Sequence, residues 1–98
     1  MIVRIVKMKF LEEKVEDFKQ LFEERKERIR AFDGCIYLEL WQTTGKPNEF
    51  FTYSHWENEA ALNHYRFSDF FKDTWGKTKA LFEEKAQAWS VNQVHALP

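Results

Sequence analysis

Apolar positions along this chain change period from segment to segment, and the changes mark out its elements. Ile2 to Phe10 is short and rich in β-branched residues. Its even positions carry Val6, Met8 and Phe10 and its odd positions Val3 and Ile5 before Lys7 and Lys9, which predicts a strand whose start is apolar on both faces. From Glu12 to Phe32 the spacing turns helical, with Val15, Phe18, Leu21, Phe22, Ile29 and Phe32 on one stripe. Gly34 stands where a helix C-terminus is usually closed. Arg25 falls inside the stripe. Its position suits either an aliphatic stem on the core edge with the guanidinium in water, or an anion or carbonyl contact in a pocket.

Cys35 to Gln42 alternates, with Ile36, Leu38 and Leu40 expected on the core face and Tyr37, Glu39 and Trp41 on the other. Thr43 to Asn48, with Gly45 and Pro47, predicts a hairpin connection to a returning strand from Glu49 to Trp56. The aromatics of that strand lie on both faces, so the pattern leaves open whether Phe50 or Phe51 meets the helices. Asn58 is an N-cap candidate for a short helix through Arg66 with Ala61, Leu62 and Tyr65 inward. Ser68 caps a second piece bearing Phe70, Phe71, Trp75, Thr78, Leu81 and Phe82. Gly76 inside it implies a close approach by another segment or a ligand. A closing strand is expected over Ala88 to Leu97, with Trp89 and Val91 at strand spacing.

The resulting order, βαββαβ, is the split βαβ of an α+β ferredoxin-like fold: a four-stranded antiparallel sheet with its helices on one face. The opposite face would expose Val3, Ile5, Tyr37 and Trp41, an apolar patch that packing on a second copy by two-fold symmetry would cover. A homodimer is therefore expected.

Composition sharpens this picture. A chain of 98 residues suffices for one hydrophobic core, since domains run to roughly 100–150 residues, and a single domain over 1–98 is expected. Ten Phe, four Trp and three Tyr are more bulk than a small monomer readily hides, which favours a partner subunit or a ring-lined pocket. Fifteen basic against sixteen acidic residues leave a net charge of −1, which argues against nucleic acid or an anionic membrane as a partner. The run Arg25, Lys26, Arg28, Arg30 ends a helix that begins with Glu12, Glu13, Glu16 and Asp17, the polarity that the helix dipole favours. Charges at Arg4, Lys7 and Lys9 interrupt any N-terminal signal or spanning segment, so a cytoplasmic location is expected, and the single Cys35 precludes an internal disulfide.

Three stretches carry a family resemblance: Ala31-Phe32-Asp33-Gly34-Cys35 after the first helix, Phe51-Thr52-Tyr53-Ser54-His55-Trp56-Glu57 on the third strand, and Ser68-Asp69-Phe70-Phe71-Lys72 opening the third helix. Through them the chain resembles the antibiotic biosynthesis monooxygenase (ABM) family over nearly its whole length. The resemblance implies a dimeric α+β barrel with a cleft between sheet and helices in each subunit. Members of that family include cofactor-independent oxygenases of polyphenols and quinols, haem-degrading oxygenases and autoinducer-processing proteins. The haem-degrading pattern needs an Asn on the first strand, a Trp on the second helix and a ligating His on the third. This chain has no Asn between Ile2 and Phe10, Tyr65 at the Trp position and Trp75 at the His position, and indole cannot ligate iron. His55, His64 and His95 lack zinc spacing and no Gly-rich loop follows a strand, so neither a metal nor a nucleotide cofactor is expected.

For chemistry there remain Tyr65, Phe71 and Trp75 as substrate-binding candidates, with His64, beside Tyr65, and His55, beside Trp56, as candidate bases. Each also has an ordinary reading as a core ring or a surface imidazole. Two functions follow. One is a cofactor-independent monooxygenase acting on a small phenol, quinol or polyphenol-like molecule. The other is a non-catalytic dimer that binds a small hydrophobic molecule or serves as a stress-related accessory protein. Oxygen uptake with quinols and phenols separates them.

Overall fold

A computed structural model describes residues 1–98. The elements are β1 (Ile2–Lys9), a 3-10 turn (Glu12–Lys14), α1 (Val15–Arg30), β2 (Cys35–Gln42), β3 (Glu49–Trp56), α2 (Glu59–Arg66), α3 (Asp69–Lys79) and β4 (Gln87–Val91). They form one four-stranded antiparallel sheet in the order β2-β3-β1-β4, the ferredoxin-like arrangement, with the helices packed on one face. No helix is long and apolar enough to cross a membrane.

Local chemistry sets the helix ends. Asn58 Oδ1 accepts from the Ala61 amide at 2.8 Å and Ser68 Oγ accepts from the Phe71 amide at 3.1 Å, so both expected N-caps satisfy a first-turn donor. The helical stripe of residues 70–82 ends early, at Lys79. Leu81 then accepts from the Leu11 amide, and Phe82 bridges Phe10. That detour leaves only Gln87–Val91 as the closing strand, and no regular structure follows it.

Two clusters of buried side chains fill the space between sheet and helices. Met8, Phe10, Phe18 and Phe50 form one, with Phe10 fully buried and stacked on Phe18 at 4.0 Å. Ile29, Cys35, Trp56, Leu62 and Tyr65 form the other, where Trp56 stacks on Tyr65 at 4.7 Å. Phe22 touches both. Full burial of each such ring contributes about 1.5–3 kcal/mol, so these clusters fix the helices to the sheet.

Register decides three positions that periodicity did not. Phe50 is buried against the helices while Phe51 faces away, beside Trp41 at 6.4 Å. In β2 a bulge separates the pairs Cys35–Trp56 and Tyr37–His55, making Ile36 the extra residue. Ile36 is therefore 41 % exposed and Cys35 occupies the core place expected of it. Burial accordingly pushes the Cys35 thiol up from its ordinary range, which leaves it a packing residue rather than a nucleophile.

Arg25 does not reach water as an exposed cation. Only 6 % of it is accessible, and its Nη1 donates to Asp73 Oδ2 at 2.9 Å and Thr74 Oγ1 at 2.8 Å, tying α1 to α3. Of its neighbours, Arg28 lies over the Phe70 ring at 4.3 Å and Arg30 donates to the Cys35 carbonyl at 2.9 Å, so much of the basic run works within the fold. Gly76 departs from expectation: a Cβ built there meets nothing within 4 Å, because the residue sits on the exposed side of α3. Gly76→Ala should therefore stabilise the protein by about 0.5–1 kcal/mol, seen as a higher urea midpoint, and a lower midpoint would reveal a contact at this position.

Candidate functional site

Between the sheet and the helices lies a cavity of about 280 Å³. Its floor is the even face of β1, through Arg4, Val6 and Met8, and the matching face of β3, through Thr52, Ser54 and Trp56. Its roof comes from Phe18 and Phe22 of α1, Leu62, Tyr65 and Arg66 of α2, and Phe71 and Trp75 of α3, with Phe67, 74 % exposed, on the rim. The rings form a continuous ladder. Tyr65 meets Phe71 edge-on at 5.0 Å, Phe71 stacks on Trp75 at 5.9 Å and 10°, and Trp75 meets Phe82 at 5.6 Å. Such surfaces accept a flat aromatic by stacking, each contact contributing about 0.5–1.5 kcal/mol beyond area burial. A larger depression of about 440 Å³ between α1 and β2 is a groove edged by Lys26, Glu27, Arg30 and Glu39, without this enclosure by rings.

Tyr65 is buried, and its hydroxyl makes no hydrogen bond within the chain. Burial, with a smaller contribution from Cys35, pushes the phenol far above its ordinary value. It is therefore a neutral O–H donor facing the cavity and cannot act as a base near neutral pH. Ser54 Oγ accepts from Trp56 Nε1 at 3.0 Å, which leaves its own proton to donate.

Tyr65, Phe71 and Trp75 thus surround one space, but neither expected base joins them. His64 is exposed on α2, its ring 5.6 Å from Phe32, because Leu62 and Tyr65 take the inward positions and one helical step turns His64 away. His55 is on the opposite face of the sheet, since Trp56 points to the helices and adjacent strand residues alternate. There its Nε2 lies 2.7 Å from the Tyr53 hydroxyl. No imidazole, thiol or carboxylate lines the cavity, and nowhere do three His, Cys, Asp or Glu side chains converge as a metal cluster would require.

The charged groups in the wall are instead Arg4 and Arg66. Arg4 occupies an even, core-facing position between Ile2 and Val6, a charge within an apolar period that is the signal by which sequence could have found it. Its Nη1 donates to Ser90 Oγ on β4 at 3.0 Å. Burial first, and the nearby Arg66 charge second, lower the Arg4 guanidinium from its ordinary value.

The opposite face of the sheet carries a second aromatic group. Trp41 stacks on Tyr53 at 4.6 Å, Tyr37 lies 5.4 Å from His55, and both the Tyr37 hydroxyl and Trp41 Nε1 donate to Glu39. Those bonds hold the Glu39 carboxyl below the usual carboxylate range.

The sequence profile of the antibiotic biosynthesis monooxygenase family matches residues 1–76. The chain belongs to this family. Its fold matches an antibiotic biosynthesis monooxygenase at a TM-score of 0.90 and 19 % identity, over 97 % of this chain and 100 % of that one. A conserved protein from Methanosarcina mazei is similar at a TM-score of 0.88 and 22 % identity, covering 95 % of this chain and 93 % of that one. A variant of SnoaB, a cofactor-independent oxygenase from Streptomyces nogalater, gives 0.88 at 13 % identity, over 99 % and 96 %. At these identities the likeness is one of fold. No curated protein matches this sequence. The match of the family profile covers β1 to most of α3 and so includes every strand and helix that builds the cavity except β4.

Proposed function

We propose that this member of the ABM family is a monooxygenase that oxidises a small phenol or quinol without metal or flavin, in the cavity between its sheet and helices. The observation that carries the reading is the enclosure of that cavity by Tyr65, Phe71 and Trp75, rings that hold a flat substrate away from bulk water. A cavity of about 150 Å³ holds one benzene ring, so the volume here suits one or two rings.

The chemistry needs a substrate anion, because a phenolate is electron-rich enough to react with dioxygen while the neutral phenol is not. Substrate loses its hydroxyl proton, an unsubstituted ortho or para carbon bonds to oxygen, and the resulting hydroperoxide breaks its O–O bond as the carbon-bound hydrogen leaves. One oxygen atom becomes the quinone carbonyl and the other departs as water with both hydrogens. The four electrons that the substrate loses are those that dioxygen gains. With no imidazole or carboxylate in the wall, the proton passes to water. Tyr65, held neutral by burial, donates its O–H to the developing peroxide.

Turnover should then follow the ionisation of the substrate rather than that of an enzyme histidine. Oxygen uptake with a panel of naphthols and hydroquinones should rise with pH through each substrate's own phenol pKa. His64→Ala and His55→Ala should leave kcat within about twofold, whereas loss of a general base costs about 10²-fold or more. A 10²-fold loss in either variant would restore that histidine as the base, and no uptake with any member of the panel would favour a binding protein.

The same reading includes a homodimer. Tyr37, Trp41, Trp89 and Val91 are each about two-fifths exposed on the face away from the helices, and a second copy packed there would cover them.

A further inference from the structure

We propose that the polar end of the cavity is a carboxylate subsite, in which Arg4 and Arg66 clamp a carboxylate carried by the aromatic substrate. The inference rests on this cavity being the substrate site and adds the class of molecule that it selects.

Placement is the first argument. Arg4 lies on a central strand, on the face that otherwise builds the core, and the residues paired with it are Ser54 on β3 and Ser90 on β4. A row Ser54–Arg4–Ser90 therefore crosses three strands of a sheet face whose other β1 positions are Ile2, Val6 and Met8. Arg4 is half-buried in this position, with Arg66 exposed at the rim, and withdrawing a charge even partly from water costs free energy unless it is paired.

The two arginines also lack an internal counter-ion. Arg25 pairs with Asp73 and Glu24, whereas Arg4 and Arg66 have no carboxylate partner, and of the cations left unpaired these two are the ones that line the cavity. They face the same space with like charge and repel one another. An anion between them would relieve both charges, and the planar guanidinium fork matches the two oxygens of a carboxylate.

The dimensions complete the description. Arg4 and Met8 are four residues apart on one strand, about 13 Å at the usual rise, which spans two fused rings with a carboxylate at one end. The Arg66 side has the exposed Phe67 at its rim, while the far end is closed by Met8, Phe18 and Trp75. The ligand would enter rings first, its carboxylate remaining at the mouth.

The test is calorimetric titration of the intact protein with 2-naphthoate and, separately, with its neutral analogue 2-naphthalenemethanol. Naphthoate should bind at least tenfold more tightly. Arg4→Met and Arg66→Met should each remove most of that preference and leave the affinity for the alcohol within about twofold, which also shows that the variants keep a formed cavity. Arg4→Lys and Arg66→Lys should retain part of it. Equal affinity of the parent protein for the two ligands, or a preference that survives both methionine changes, would overturn the subsite, as would binding of neither. The measurement needs no turnover, so failure of the oxygenase reading appears in oxygen uptake alone and failure of the carboxylate subsite in the titration alone.

Discussion

Gly34→Ala should destabilise the protein by about 2–5 kcal/mol, a large part of the stability of an ordinary domain. Two independent causes add. Gly34 has φ +89°, a conformation that a side chain makes costly by about 1–2 kcal/mol. A Cβ placed there would also lie 2.4 Å from the Ala61 Cβ, far inside van der Waals contact. Relief requires moving α2 away from the loop after α1, and such overpacking costs roughly 1–3 kcal/mol. The same loop is anchored to β3, since the Gly34 carbonyl accepts from the Glu57 amide at 2.9 Å, so it has little freedom to retreat. Urea denaturation of Gly34→Ala, Ala61→Gly and the double variant separates the causes. The double variant should recover the clash but not the backbone strain, giving a coupling of about 1–3 kcal/mol. A Gly34→Ala protein within 1 kcal/mol of the parent would show that neither the backbone conformation nor the contact with α2 constrains this position.

The second large effect concerns assembly. The parent protein should sediment at about twice its chain mass of 11.9 kDa, and Trp41→Glu should sediment as a monomer or aggregate at micromolar concentration. Trp41 stacks on Tyr53 and donates to Glu39, so the substitution removes a ring from the edge-strand side of the outer aromatic face and sets a second carboxylate beside the first. Desolvating two like charges against a partner copy costs several kcal/mol, enough to shift a dimer dissociation constant by more than 10³-fold. A parent protein that sediments as a monomer would refute the proposed interface. A Trp41→Glu dimer of unchanged affinity would move it to another surface.

What the sequence determined by itself is whatever depends on neighbours within a few residues. The element order, the α+β class and the caps at Asn58 and Ser68 were legible because period, turn chemistry and N-cap oxygens act locally. The rings Tyr65, Phe71 and Trp75 were legible as a group because helical spacing places them inward on adjacent helices. Tertiary structure decided the rest. The bulge at Ile36 depends on how β2 pairs with β3, and a one-residue offset there exchanges core and surface. His55 and His64 were attractive as neighbours of Trp56 and Tyr65, yet adjacency in a strand means opposite faces, and in a helix a turn of about 100°. Gly76 carried an expectation of close approach that only its surroundings could test, and they proved empty. Arg4 and Arg66 are separated by most of the chain. Their meeting at one cavity follows from the packing of α2 over the central strands, which no local pattern encodes.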